Sequence, residues 1–215
     1  MSSRIHKSIV SKTTMIKTII FDIGNVLADF AWKPFFASFK LTEEEISSLA
    51  KATIFSSDWV EYDIGNLTDE EILNRFCHNA PQFTEVLHQI DKSWKGIILK
   101  TSHAIPWITS LKKQGYQVLF LSNFSSKARR DCADALDFIP MTDGGIFSYK
   151  VHMVKPEPEI YQLLIDTYHL TPQECVFIDD TAINLTAAEK FGLHTIQFQT
   201  KEQVLKDLAA LNVII

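Results

Sequence analysis

The chain has 215 residues, 46% of them hydrophobic, and its 21 basic and 26 acidic side chains give a formal net charge of −5. That length suits one large domain or a domain carrying an insertion, since single cores run to roughly 100–200 residues. The chain has no basic block or stripe, which argues against a nucleic-acid partner, because backbone phosphates are held by clustered Lys and Arg.

In chain order, residues 1–15 (MSSRIHKSIVSKTTM) carry Arg4, His6, Lys7 and Lys12 but lack the run of seven or more apolar residues that a signal peptide needs. They read as a loose tail or an upstream start. MIKTIIFD (15–22) is a continuous Ile-rich run, the pattern of a short strand covered on both faces, and it ends on Asp22 ahead of a Gly24-Asn25 turn. Residues 31–100 change period. LTEEEISSLA and LTDEEILNRF each set a Thr three residues ahead of a Glu, Thr42 with Glu45 and Thr68 with Glu71, the two halves of a capping box at a helix start. This segment is expected to be an all-helical insertion whose aromatics (Trp32, Phe35, Phe36, Phe39, Phe55, Trp59, Tyr62, Phe76, Phe83, Trp94) pack together. Within YDIGNL, Asp63 and Gly65 help to set specificity or only shape a turn, and Trp59 just before them has the same two readings, specificity or structure.

HAIPWITSLKKQG (103–115) has helical spacing and stops at Gly115, and YQVLFLSN (116–123) is a second buried strand, ending on Ser122 and Asn123. Gly144-Gly145 reads as a turn. Lys155 sits in a proline-pinned loop, MVKPEPEIY, that leads into the helical spacing of PEPEIYQLLIDTYH. Thr171 and Glu174 repeat the capping-box pattern over one turn at most. ECVFIDD (174–180) is a third strand ending on Asp179 and Asp180; INLTAAEKFG reads as a helix and LHTIQF (193–198) as a weaker fourth strand. Strand and helix alternating in this way predicts an α/β fold, a Rossmann-like parallel sheet flanked by helices, built from residues 16–30 and 101–215. Such sheets bind ligands at the carboxyl ends of their strands.

Cys77, Cys132 and Cys175 are odd in number and far apart, which argues against a disulfide framework and for a reducing, cytoplasmic location. No stretch approaches about 18 uninterrupted apolar residues, so no membrane partner is expected. The histidines show no metal-ligand spacing.

If the strands are neighbours, Asp22, Ser122, Asn123, Asp179 and Asp180 converge on one rim with Lys155. Carboxylates gathered there would repel one another unless a cation sat among them. An all-oxygen site with few protein ligands suits Mg²⁺ completed by a substrate phosphate, with Lys155, the Ser122 hydroxyl and backbone N–H groups after Asn123 holding the phosphate oxygens. An aspartate beside the metal can attack phosphorus and split hydrolysis into two easier steps.

The ordered motifs FDIGNVL, LFLSN, KPEPEIY and FIDDTAINLTAAEKFG resemble those of the haloacid dehalogenase superfamily, and residues 31–100 resemble its α-helical cap. The stretch WVEYDIGNLTDEEILNRF is further similar to the bacterial branch of sugar-phosphate phosphatases that includes glucose-1-phosphatases. The resemblance implies Asp22 as nucleophile, Ser122 as the phosphate-binding hydroxyl, and Lys155 as the lysine screening both. For Mg²⁺ it implies Asp22, the Gly24 carbonyl and Asp180, with Asp179 as a second carboxylate, because Asn184 stands where many members have another aspartate. It implies a small phosphorylated metabolite, a sugar phosphate, as substrate.

One position departs from that pattern. Phosphatases of the superfamily generally carry a general acid–base aspartate two residues after the nucleophile, and Gly24 stands there. Such catalysis contributes about 10² to 10⁴ in rate, and Asp29 or a metal-bound water is expected to supply part of it. Two other readings stay open: a metal-independent 2-haloacid dehalogenase, and a phosphate-binding protein with weak turnover.

Overall fold

The computed structural model describes residues 15–215, so all but the last residue of the expected tail lies outside the described residues. The apolar runs become strands buried on both faces. β1 (Thr18–Phe21) is central, and Ile19 and Phe21 face one core cluster while Ile20 faces another. Each such residue contributes about 1.5–3 kcal/mol on burial.

The chain then forms β2 (Ala28–Phe30), helices α1 (Trp32–Ala37), α2 (Glu43–Ala52), α3 (Ser57–Ile64), α4 (Asp69–Asn79) and α5 (Thr84–Asp91), and β3 (Ile98–Lys100). Both expected capping boxes of the insertion form: Thr42 caps α2 with Glu45, and Thr68 caps α4 with Glu71. The expectation of helix throughout 31–100 is corrected at its end, where Ile98–Lys100 pairs antiparallel with Ala28–Phe30 and closes the insertion at its neck. Trp59 and Trp94 stack at 5.3 Å inside it, with Tyr62 edge-on to both.

Next come α6 (Ala104–Lys113), β4 (Gln117–Ser122), α7 (Ser126–Asp131), β5 (Gly144–Phe147), α8 (Ser148–Val151), α9 (Pro158–Tyr168), β6 (Cys175–Asp179), α10 (Ala182–Glu189), β7 (His194–Gln197) and α11 (Lys201–Ala210). The parallel sheet runs β5-β4-β1-β6-β7, so strand order reverses across β1. That reversal opens a crevice at the carboxyl end of β1.

Two local readings change. Gly144-Gly145 is no turn but the start of edge strand β5, where a side chain at Gly145 would run into the Phe120 ring and carbonyl. Thr171 forms no capping box; Pro172–Glu174 is one 3₁₀ turn, and Glu174 instead accepts from Lys17 Nζ at 2.8 Å. Among the described residues no helix is long and apolar enough to cross a membrane.

Candidate active site

Three strand ends deliver the polar groups. Asp22 leaves β1 with its N–H donating to Ile178 O at 2.8 Å, which locks it beside the end of β6. Its Oδ1 accepts from Ile23 N at 2.7 Å. Lys155 Nζ lies 3.0 Å from Asp22 Oδ1 and 2.6 Å from Asp179 Oδ2, so one buried ammonium bridges two carboxylates. Asp179 is fully buried and also accepts from Thr181 N at 2.8 Å and from Asn184 Nδ2 at 3.2 and 3.1 Å. The asparagine at 184 therefore serves Asp179 as a donor.

Asp22, Asp179 and Asp180 each offer an oxygen, and these oxygens lie within 4.8 Å of one another. Burial raises the Asp22 carboxyl to about 6; Lys155 opposes the shift and Asp179 adds to it. Burial alone would lower the Lys155 ammonium, but Asp22 and Asp179 outweigh it and hold the group above its ordinary value. Three carboxylates against one ammonium leave two negative charges, and hard oxygen donors in that balance fit a divalent cation such as Mg²⁺.

Above this cluster lies a cavity of about 370 Å³, the size of a small-metabolite site. Asp22, Gly24, Ser122, Asn123, Lys155 and Asp180 line its floor, and Phe30, Trp59, Trp94, Ile97, Ile98 and Phe124 form most of its wall. The expected site residues thus come together, with Asp179 directly beneath. Trp59 and Trp94 pack on each other and also face the cavity, a position expected as one of two readings for Trp59 but not for Trp94.

One expectation is extended and one is corrected. Asn123 lines the cavity as expected but has a further role, accepting from Lys155 N at 2.8 Å and donating to Lys155 O at 2.9 Å, so that its amide also holds the lysine loop. Asp29 is exposed on the β2–β3 pair and does not line the cavity, so it cannot replace the acid absent at Gly24. Phe30, its neighbour on the opposite face of the strand, points inward instead.

The sequence reading missed Asn25. Its left-handed backbone (φ 56°) turns the side chain back to donate to Asp180 Oδ2 at 2.9 Å, while its Oδ1 accepts from Phe30 N. The Gly-Asn pair carried only a turn signal.

Asp63, near the end of α3, lines the same cavity with 8% of its surface exposed. Burial, then the charge of Asp22, pushes its carboxyl up to about 8, against the opposing pull of Lys155. Between the unfolded carboxyl value of about 4 and about 8 the native state keeps a proton that the unfolded chain has lost, so stability falls as pH rises, by at most about 1.4 kcal/mol per pH unit. In metal-free buffer, Asp63→Asn is expected to flatten the fall of Tm across that window. Equal slopes in variant and wild type would refute this.

Comparison with known proteins follows the same lines. The chain is 25% identical over 210 residues to acyl-CoA dehydrogenase family member 10 of Mus musculus, a match covering 91% of this chain but only 19% of that protein's length. It is 27% identical over 203 residues to D-ribitol-5-phosphate phosphatase of Bacteroides thetaiotaomicron, covering 85% of this chain and 92% of that one. The magnesium complex of a HAD family enzyme from the same organism superposes with a TM-score of 0.68 at 20% identity, over 89% of this chain and 98% of the other, a likeness of fold. Residues 16–192 match the family model for haloacid dehalogenase-like hydrolases, and the chain belongs to that family.

Proposed function

We propose that the protein is a Mg²⁺-dependent phosphohydrolase acting on a small phosphate monoester, a sugar phosphate, through an aspartyl-phosphate on Asp22. The observation that carries this reading is the cluster of three carboxylates, only two of them paired with the Lys155 ammonium, beside a metabolite-sized cavity. A dehalogenase attacking carbon would need no such surplus of negative charge. The likeness to D-ribitol-5-phosphate phosphatase supports the same choice.

Asp22, the Gly24 carbonyl, Asp180 and Asp179 would hold the ion, which when bound neutralises the carboxylates and the phosphate oxygens. Ser122 donates its hydroxyl to a phosphate oxygen, and Lys155 keeps Asp22 ionised and aligned. The carbon skeleton lies against Trp59 and Trp94, where a sugar presents a C–H face. The three free thiols support a reducing, cytoplasmic setting.

Phosphate release is measured from glucose 1-phosphate, ribitol 5-phosphate and p-nitrophenyl phosphate, with Mg²⁺ and with EDTA. Release from at least one ester, abolished by EDTA and restored by Mg²⁺, is expected. Release that ignores EDTA, or halide release from a 2-haloacid with no phosphate from any ester, would overturn the reading.

A further inference from the structure

The floor of the cavity lacks an acid where the reaction needs one. Gly24 lines it, and a Cβ added there would meet nothing within 4 Å, so the space next to the nucleophile is open and empty of side chain. Among the residues lining the same cavity is Asp63. It is more than nine-tenths buried, and among the described residues no hydrogen bond reaches its carboxyl group. Burying a carboxyl without a partner costs several kcal/mol if it is ionised.

The backbone around it is fixed. Ser148 Oγ donates to Asp63 O at 2.6 Å while accepting from Phe124 N at 2.8 Å, and His152 Nδ1 lies 3.0 Å from Ile64 O. Gly65 adopts φ 77° directly over Tyr149, where a Cβ would come within 2.9 Å. Three successive residues, the last two of α3 and Gly65 after it, are therefore docked on α8 and its C-terminal residue His152, next to the loop that follows Ser122. This docking aims an otherwise idle carboxyl into the site.

We propose that Asp63 is the general acid–base of this hydrolase, acting from the insertion in place of the side chain that Gly24 lacks. The assignment rests on the phosphatase reading. As the Asp22 oxygen bonds to phosphorus, the bond to the ester oxygen breaks, its electron pair goes to that oxygen, and the Asp63 carboxyl gives it a proton, releasing the alcohol. In the second step the Asp63 carboxylate takes a proton from the water that attacks phosphorus; the bond to Asp22 breaks with its electrons returning to the carboxylate, and hydrogen phosphate leaves. Burial in the cavity wall disfavours the charged carboxylate and so favours the protonated acid that the first step needs.

Proton donation matters in proportion to how poor the leaving group is, and that separates an acid from a residue that only shapes the pocket. With Mg²⁺ present, kcat/KM is measured on p-nitrophenyl phosphate and on glycerol 3-phosphate for the wild type, Asp63→Asn and Asp63→Glu. The expectation for Asp63→Asn is a loss of about 10² to 10⁴ on the alkyl ester and of less than about tenfold on the aryl ester, whose phenolate leaves without help. Asp63→Glu should keep the wild-type ratio of the two constants. Adding Gly24→Asp to Asp63→Asn should recover at least about tenfold on the alkyl ester, because the new side chain enters open space. Equal losses on both esters in Asp63→Asn would overturn the Asp63 assignment and leave the phosphatase reading intact. No phosphate from either ester in the wild type would overturn both.

Discussion

Asp22→Asn is expected to lower phosphate release by more than about 10³-fold, since on the proposed mechanism it removes the group that bonds to phosphorus, and yet to leave the fold at least as stable in metal-free buffer at pH 7. The stability half follows from burial. The Asp22 carboxyl is pushed up to about 6 despite its contact with Lys155, so the native state holds its proton to higher pH than the unfolded chain does. Stability tied to that proton is present below about pH 4 and is lost as pH rises through about 6, and at pH 7 the ionised form carries the whole cost. An amide carries none of it, and Lys155 keeps Asp179 as a partner. Initial rates and thermal unfolding on the same two proteins check both halves. Residual activity within about tenfold of wild type would remove Asp22 as nucleophile, and a clearly lower Tm would show that its charge is stabilising on balance.

Lys155→Ala is expected to have the largest effect on stability. The ammonium is buried between Asp22 and Asp179, and breaking a buried ion pair from one side costs about 3–5 kcal/mol because the remaining charge is left uncompensated. For a chain of this length that corresponds to a Tm lower by about 6 to 20 °C. Activity should fall with it, since Lys155 aligns Asp22. The comparison variant is Lys17→Ala, which breaks a Lys17–Glu174 contact of similar length at the surface, where the lysine is 61% exposed; that should cost no more than about 1 kcal/mol. If the two variants melted together, the buried position of Lys155 would not be what gives it weight.

The strands and the rim were legible because both follow from local pattern. Uninterrupted Ile, Val, Leu and Phe marked β1, β4 and β6, and the polar residues ending each run were brought to one crevice by parallel pairing alone. β5 escaped because its four residues begin with two glycines, which the close approach of Phe120 and Tyr168 demands but which read in sequence as a turn. β2 and β3 escaped because three-residue strands carry too little periodicity to register. Closeness to Gly24 in the chain points to Asp29 as the proton donor, but its strand turns it outward. Asp63 is far off in sequence, and the docking of α3 on α8 brings it to the cavity that Asp22 also lines. Asn25 needed its left-handed backbone to be known before its contact with Asp180 could be foreseen.

The two halves of the proposed chemistry hang from different parts of the chain. Asp22 ends β1, which is paired along its whole length on both sides. Asp63 belongs to the insertion, which is held at α8 by the Ser148 hydroxyl and the His152 imidazole, and elsewhere by the Arg130–Asp69 and Lys127–Asp91 ion pairs and by an apolar core shared with the sheet. A displacement of about 1 Å can cost about 10²-fold in rate, so a substitution in that seam would reach the proposed proton transfer without touching any residue of the cavity.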